Sequence, residues 1–167
     1  MRNSTRKIAM IGIVAALYAV ITLVLGFISY GPIQFRIAEI MTLLPLFGKE
    51  YILALTLGCF LANVIGPYGI PDIIFGTIAT FISVYLVYLT GKLMYGKKGY
   101  VLIASLWPTI VNAIIIGMML NIIFGLPLII SILQVGIGQF VVITIIGVPL
   151  FRFLNNKYSK LLKDILN

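Results

Sequence analysis

The sequence contains no histidine, a single cysteine and only four acidic residues among 167. Without histidine there is no imidazole base. With Cys59 alone there is neither a disulfide within the chain nor a Cys/His metal cluster, and Cys59 in its apolar run reads as a small buried hydrophobe. A Walker-type phosphate loop is also missing, so nothing here is built to hold ATP or another cofactor. Glu39 and Asp72 form an acid/base pair in principle, but neither has a nucleophile or metal ligand beside it in sequence. These absences argue against an enzyme. Charge is scarce as well, at 10% of residues against about 25% in a soluble domain. With 62% hydrophobic residues and a mean hydropathy of +1.18, residues 1–167 read as one integral membrane domain.

What is present is a series of apolar runs, at about 8–29, 32–47, 51–65, 72–93, 101–123 and 128–154. The spacing predicts an all-α protein of six transmembrane helices. The first run exceeds the 7–15 residues of a signal-peptide core and is read as a span. The second and third give only about 24 and 22 Å of helix, short of a hydrocarbon layer about 30 Å thick. Asp72 is placed to cap the fourth helix, and Pro108 to kink the fifth. The basic tail from Asn155 to Asn167 is amphipathic, as in helices that lie at lipid headgroups.

The basic excess, 12 Lys and Arg against 4 Asp and Glu, would suggest nucleic acid on a soluble protein. Here 11 of the 12 fall at the termini, at Lys49 or in the 92–98 loop. With six spans all of these lie on one side, which places both termini in the cytoplasm. A four-span alternative, with runs two and three as a re-entrant hairpin, would strand Lys49 and Glu50 at mid-membrane.

Measured from those lysines at 1.5 Å per residue, Glu39 sits about 15 Å up, and Arg36, Asn63, Asn112 and Gln139 about 20 Å. Gln134 and Asp72 lie higher still. The cytoplasmic half reads as nearly pure hydrocarbon. A channel or proton relay carries polar groups through its whole depth. Polar groups confined to the outer half suit a cup open to the outside, or amides that tie helices together. Arg36 and Glu39, three apart on one helical face, are expected either to pair or to meet a ligand. Ala15 with Ala19, and Gly12 with Ala16, are small-xxx-small pairs that admit a close helix, within the chain or from a partner.

The stretch Gly31-Pro32-Ile33-Gln34-Phe35-Arg36-Ile37-Ala38-Glu39, followed by Leu43-Leu44-Pro45, resembles the signature of the queuosine-precursor transporter (QueT) family. Ala15-Ala16-Leu17-Tyr18-Ala19, Leu61-Ala62-Asn63 and Asp72-Ile73-Ile74-Phe75-Gly76 are similar to it too, in the same order along the chain. The resemblance implies the S component of an energy-coupling factor (ECF) transporter in a prokaryotic plasma membrane. Such a subunit captures a solute from outside and works with a transmembrane T component and two ATPases that use the ATP. It implies a 7-deazaguanine such as preQ1 as solute and docking of the T component at Ala15 and Ala19. An S component for thiamin, biotin or riboflavin is the neighbouring reading, and a ligand-free membrane scaffold the one from a different class. The site residues expected on this basis are Gln34, Phe35, Arg36, Glu39, Asn63, Asp72, Phe75, Asn112, Gln134 and Gln139. One of Glu39 and Asp72 would take the base edge and the other the ammonium of preQ1, with Tyr30, Phe35, Tyr68 or Phe75 stacked on the ring.

Overall fold

The structure, a computed structural model, describes residues 2–31 and 33–164. Among the described residues all regular structure is helical. Helices α1 (Arg2–Val24) and α2 (Gly26–Ser29) lead to a 3-10 helix, Ile37–Leu46. Then come α3 (Glu50–Ile65), α4 (Ile70–Met94), α5 (Tyr100–Phe124) and α6 (Leu128–Gln139), a π-helical segment Phe140–Gly147, and α7 (Val148–Asp164). Among the described residues four stretches are long and apolar enough to cross a membrane: Ser4–Val24, Ile70–Met94, Tyr100–Phe124 and Leu128–Lys157. The 3-10 helix and α3 are shorter.

The second run differs most from expectation. It predicts an α-helix over 32–47, but the chain is extended at Arg36 and then winds as ten residues of 3-10 helix. At about 2.0 Å per residue this reaches about 20 Å, where ten residues of α-helix reach about 15 Å. The tighter winding also stacks residues three apart, so Glu39, Thr42 and Pro45 share a buried face. The sixth run departs too, because eight π-helical residues follow Gln139. The tail is no separate helix: α7 continues to Asp164, and residues 165–167 lie outside the described residues. The half of the bundle near the lysines is not pure hydrocarbon, since Trp107 donates to Thr90 (2.9 Å) and Ser105 pairs with Thr144 (3.0 Å). These hydroxyls are invisible to a depth count of charges and amides because they are small and locally satisfied.

Helices α1 and α3 run parallel, in a fixed register of 43 residues. Lys7 meets Glu50 at 3.3 Å, and Ala15 lies against Gly58. The 3-10 helix returns between them, so the Lys49 turn sits level with the start of α1. A Cβ on Gly58 would lie 2.8 Å from Tyr18 Cβ and 2.9 Å from the Ala15 carbonyl. Ala15 and Ala19 are therefore buried inside the chain, and their assignment to a partner-docking face is corrected. Ala9, Gly12 and Ala16 are small residues exposed on α1, and nothing lies within 4 Å of a Cβ built on Gly12.

This packing predicts opposite outcomes for two Gly→Ala changes in membrane helices. Gly58→Ala should destabilise by about 1–3 kcal/mol through overpacking. Gly12→Ala should leave the thermal midpoint in detergent unchanged or slightly raised. Equal midpoints for the two variants would mean that α1 and α3 do not meet at Gly58.

Candidate functional site

The site begins where α2 ends. Between Tyr30 and Ile37 the chain makes two tight turns: Gln34 N–H donates to the Gly31 carbonyl (3.1 Å), and Arg36 N–H to that of Gln34 (2.9 Å). Gln34 takes φ +48°, the one positive φ outside glycine among the described residues. A left-handed backbone at a non-glycine residue costs about 1–3 kcal/mol and persists only when its surroundings hold it. Helix α6 supplies that hold. A Cβ on Gly138 would run into the Ile33 carbonyl oxygen and come within 3.1 Å of that of Gln34, so only a bare backbone lets this segment lie against the helix. The result is a Gln34 side chain that is buried although it belongs to a loop.

Arg36 follows, and its partner is not Glu39. Its Nη2 donates to Asp72 Oδ2 at 3.0 Å, with both side chains buried. The expected pairing fails because Arg36 precedes the helix, in extended backbone, so the three-residue helical spacing does not apply. Asp72 likewise does not cap α4, which starts at Ile70; it sits in the first turn with its carboxylate turned to Arg36. Glu39 accepts instead from the Tyr18 hydroxyl of α1 at 2.5 Å. Asn63 ties the set together by donating to the Asp72 carbonyl (2.9 Å) from α3. Gly76 leaves room for that amide, since a Cβ there would sit 2.5 Å from Asn63 Nδ2 and 3.0 Å from Asp72 Oδ1. Behind it, Cys59 accepts from Thr80 (3.1 Å) and Asn63 (3.4 Å) as a buried part of the packing.

Above this cluster lies a cavity of about 350 Å³, within the size range of small-molecule sites. Gln34, Gln134 and Ser131 line it together with Tyr68 and apolar side chains such as Leu120 and Ile130. Tyr30 and Tyr68 meet edge-on at 5.9 Å, and the Arg36 guanidinium lies 5.3 Å from the Tyr30 ring centre. Burial first, and the Asp72 carboxylate second, hold the Tyr68 phenol above its ordinary pKa, with Arg36 opposing. It stays protonated and donates to the Tyr30 carbonyl at 2.6 Å.

The other expected residues divide. Asn112 of α5 and Gln139 of α6 are buried, whereas Phe35 is half-buried against the main core. Phe75 is not brought to the cluster: it is 40% exposed and lines an apolar groove with Ile78 and Met118. Several buried polar atoms find no partner among the described residues. The donors are Gln34 Nε2, Arg36 Nε and Asn112 Nδ2; the acceptors are Glu39 Oε2, Asp72 Oδ1, Asn63 Oδ1 and Gln139 Oε1. Tyr18, Gly76, Ser131 and Gly138 were not among the expected residues. Tyr18 was findable as the polar-tipped residue on the face it shares with Ala15 and Thr22 of α1, and Ser131 lies three residues before Gln134 on α6. The glycines carried no signal beyond being glycine.

A family model described as the QueT transporter matches residues 8–156. The chain is 40% identical over 87 residues to "Queuosine precursor transporter QueT" of Lactococcus lactis subsp. cremoris (strain MG1363). That match covers 51% of this chain and 51% of the relative, so the chain spans about half the length of the curated relative it matches. No solved structure matches the chain.

The ion pair yields a stability prediction. Asp72→Asn or Arg36→Gln alone leaves one buried charge without its counterion and should cost about 3–5 kcal/mol. The double change removes both charges, and its thermal midpoint in detergent should lie well above the sum of the single losses. Additive losses would show that the two side chains do not interact.

Proposed function

The chain belongs to the QueT transporter family, and we propose that it is the solute-binding S component of an ECF importer for a queuosine precursor such as preQ1. The family is one of transporters, not enzymes. One observation carries the reading: Gln34, with an unpartnered buried amide, lines a cavity, and two residues along the chain Arg36 begins a buried cluster in which Arg36, Asp72, Asn63 and Glu39 each keep an unpartnered polar atom. Buried polar groups are almost always satisfied, so donors and acceptors grouped in this way favour a bound polar solute. A 7-deazaguanine offers an N–H, an exocyclic amine and a carbonyl, which complement acceptors such as Glu39 Oε2 and Asn63 Oδ1 and donors such as Gln34 Nε2. The ammonium of preQ1 adds a cation for the free oxygen of Asp72 or Glu39. A scaffold whose amides only join helices would not leave these atoms unpaired.

In this reading the chain crosses the membrane six times with both ends in the cytoplasm. The level of the Lys49 turn beside Lys7 supports this over a re-entrant hairpin, as does the one-sided placement of basic residues. The 3-10 helix and α3, at about 20 and 24 Å, stop short of the full hydrocarbon thickness, which favours a recess at the outer end. A T component and two ATPases would supply the energy. With Ala15 and Ala19 buried, the T component would approach the outer face of α1 at Gly12 and Ala16.

Two measurements test the proposal. Glu39→Gln should weaken preQ1 binding about 10- to 100-fold, the loss of one charge-assisted pair, while the protein stays monodisperse. If preQ1 gives wild-type protein no rise in melting temperature, the solute assignment fails. In a Cys59→Ala background, cysteines at Gly69 and Leu126 should react with an impermeant maleimide on intact cells. Those at Lys49 and Lys97 should react only after permeabilisation; labelling of position 49 from outside would sink the six-span topology.

A further inference from the structure

At the opposite end of the molecule from the polar cluster, α5 begins and α7 passes beside it, enclosing a cleft of about 210 Å³. Lys97 and Arg152 line it together with Tyr100, Asn155 and Asn156. We propose that this cleft binds a phosphate group, presented by an anionic lipid headgroup or as a free anion. Among the described residues no carboxylate lies within ion-pair distance of either cation. Glu39 and Asp72 belong to the far end, Glu50 is held by Lys7, and Asp164 is twelve residues past Arg152 on α7, about 18 Å along it. Two cations on one cleft repel unless an anion joins them, and a phosphate with several acceptor oxygens satisfies a lysine, a guanidinium and neighbouring amides together. The first turn of α5 adds the positive end of its dipole through Tyr100 and Val101, which line the same cleft.

The surroundings fit an amphiphile. Phe151 lines both this cleft and an apolar crevice of about 130 Å³ with Ile40, Met41 and Leu44. One turn further from the lysines, α5 exposes Leu102 and Ile103, and α7 exposes Leu150. A charged cleft bordered by apolar surface matches a headgroup above its acyl chains, and basic pockets between helices on the cytoplasmic side recognise such headgroups.

The test uses the purified full chain in neutral phosphatidylcholine nanodiscs, with native mass spectrometry and thermal melting as readouts. Phosphatidylglycerol is added in one arm and inorganic phosphate in the other. In at least one arm, wild type should retain the anion and melt at a higher temperature. Lys97→Gln with Arg152→Gln should weaken retention about tenfold or more. Lys92→Gln with Lys98→Gln removes the same charge outside the cleft and should retain it, as should the charge-preserving Lys97→Arg with Arg152→Lys. Retention of phosphatidylglycerol alone identifies a lipid site, and a response to inorganic phosphate identifies a free-anion site. Equal losses in the two Gln pairs would reduce the effect to general surface charge and overturn the proposal. The absence of any anion-dependent shift in wild type would overturn it too.

Discussion

The buried pair of Arg36 and Asp72 is the contact on which the rest of the site depends. Neither charge tolerates an apolar interior alone, and their mutual attraction offsets the cost of desolvation only if each is also held in place. Arg36 is held by a strained loop at Gln34 that α6 accepts because Gly138 has no side chain. Asp72 is held because Asn63 reaches its carbonyl across the gap left by Gly76. The pair therefore joins the loop after α2 to the start of α4. It also leaves one oxygen of Asp72 and Nε of Arg36 without a partner among the described residues. An ion pair that is well positioned but incompletely satisfied suits a site awaiting a polar solute better than one serving stability alone.

Glycine governs this geometry more than any large residue does. Gly58, Gly76 and Gly138 each face a contact that a Cβ would occupy: α1, the Asn63 amide and the strained loop respectively. In a chain surrounded by lipid, helices gain little from burying apolar side chains against one another, so close backbone approach and shape fit carry the packing. The ten-residue 3-10 helix belongs to the same economy of space. It gains length from few residues and aligns Glu39 on the buried face where Tyr18 meets it.

The two ends of the bundle divide the chemistry. Amides and carboxylates that keep one unpartnered atom gather at one end, and Lys97 and Arg152 line a cleft at the other, with paired hydroxyls such as Ser105 and Thr144 between them. Such an arrangement resembles neither a continuous polar path nor a plain lipid-facing scaffold.

From the sequence alone came the helical membrane character, the six apolar runs, and the shortness of the second and third. Hydropathy and charge are properties of residues one at a time, or of neighbours along the chain, so they survive without coordinates. Most expected site residues do gather near one end, because depth along a helix follows from counting. Direction around a helix does not. Whether Ala15 or Gly12 faces outward turns on which neighbour packs against α1. Arg36 chose Asp72 over Glu39 because the chain is extended where a helix was expected. Phe75 faces outward for the same kind of reason: its side of α4 is set by where Asp72 and Gly76 are fixed. Those partnerships join residues as far apart as Arg36 and Asp72, 36 positions, or Ala15 and Gly58, 43 positions, and only the folded chain brings such pairs into contact.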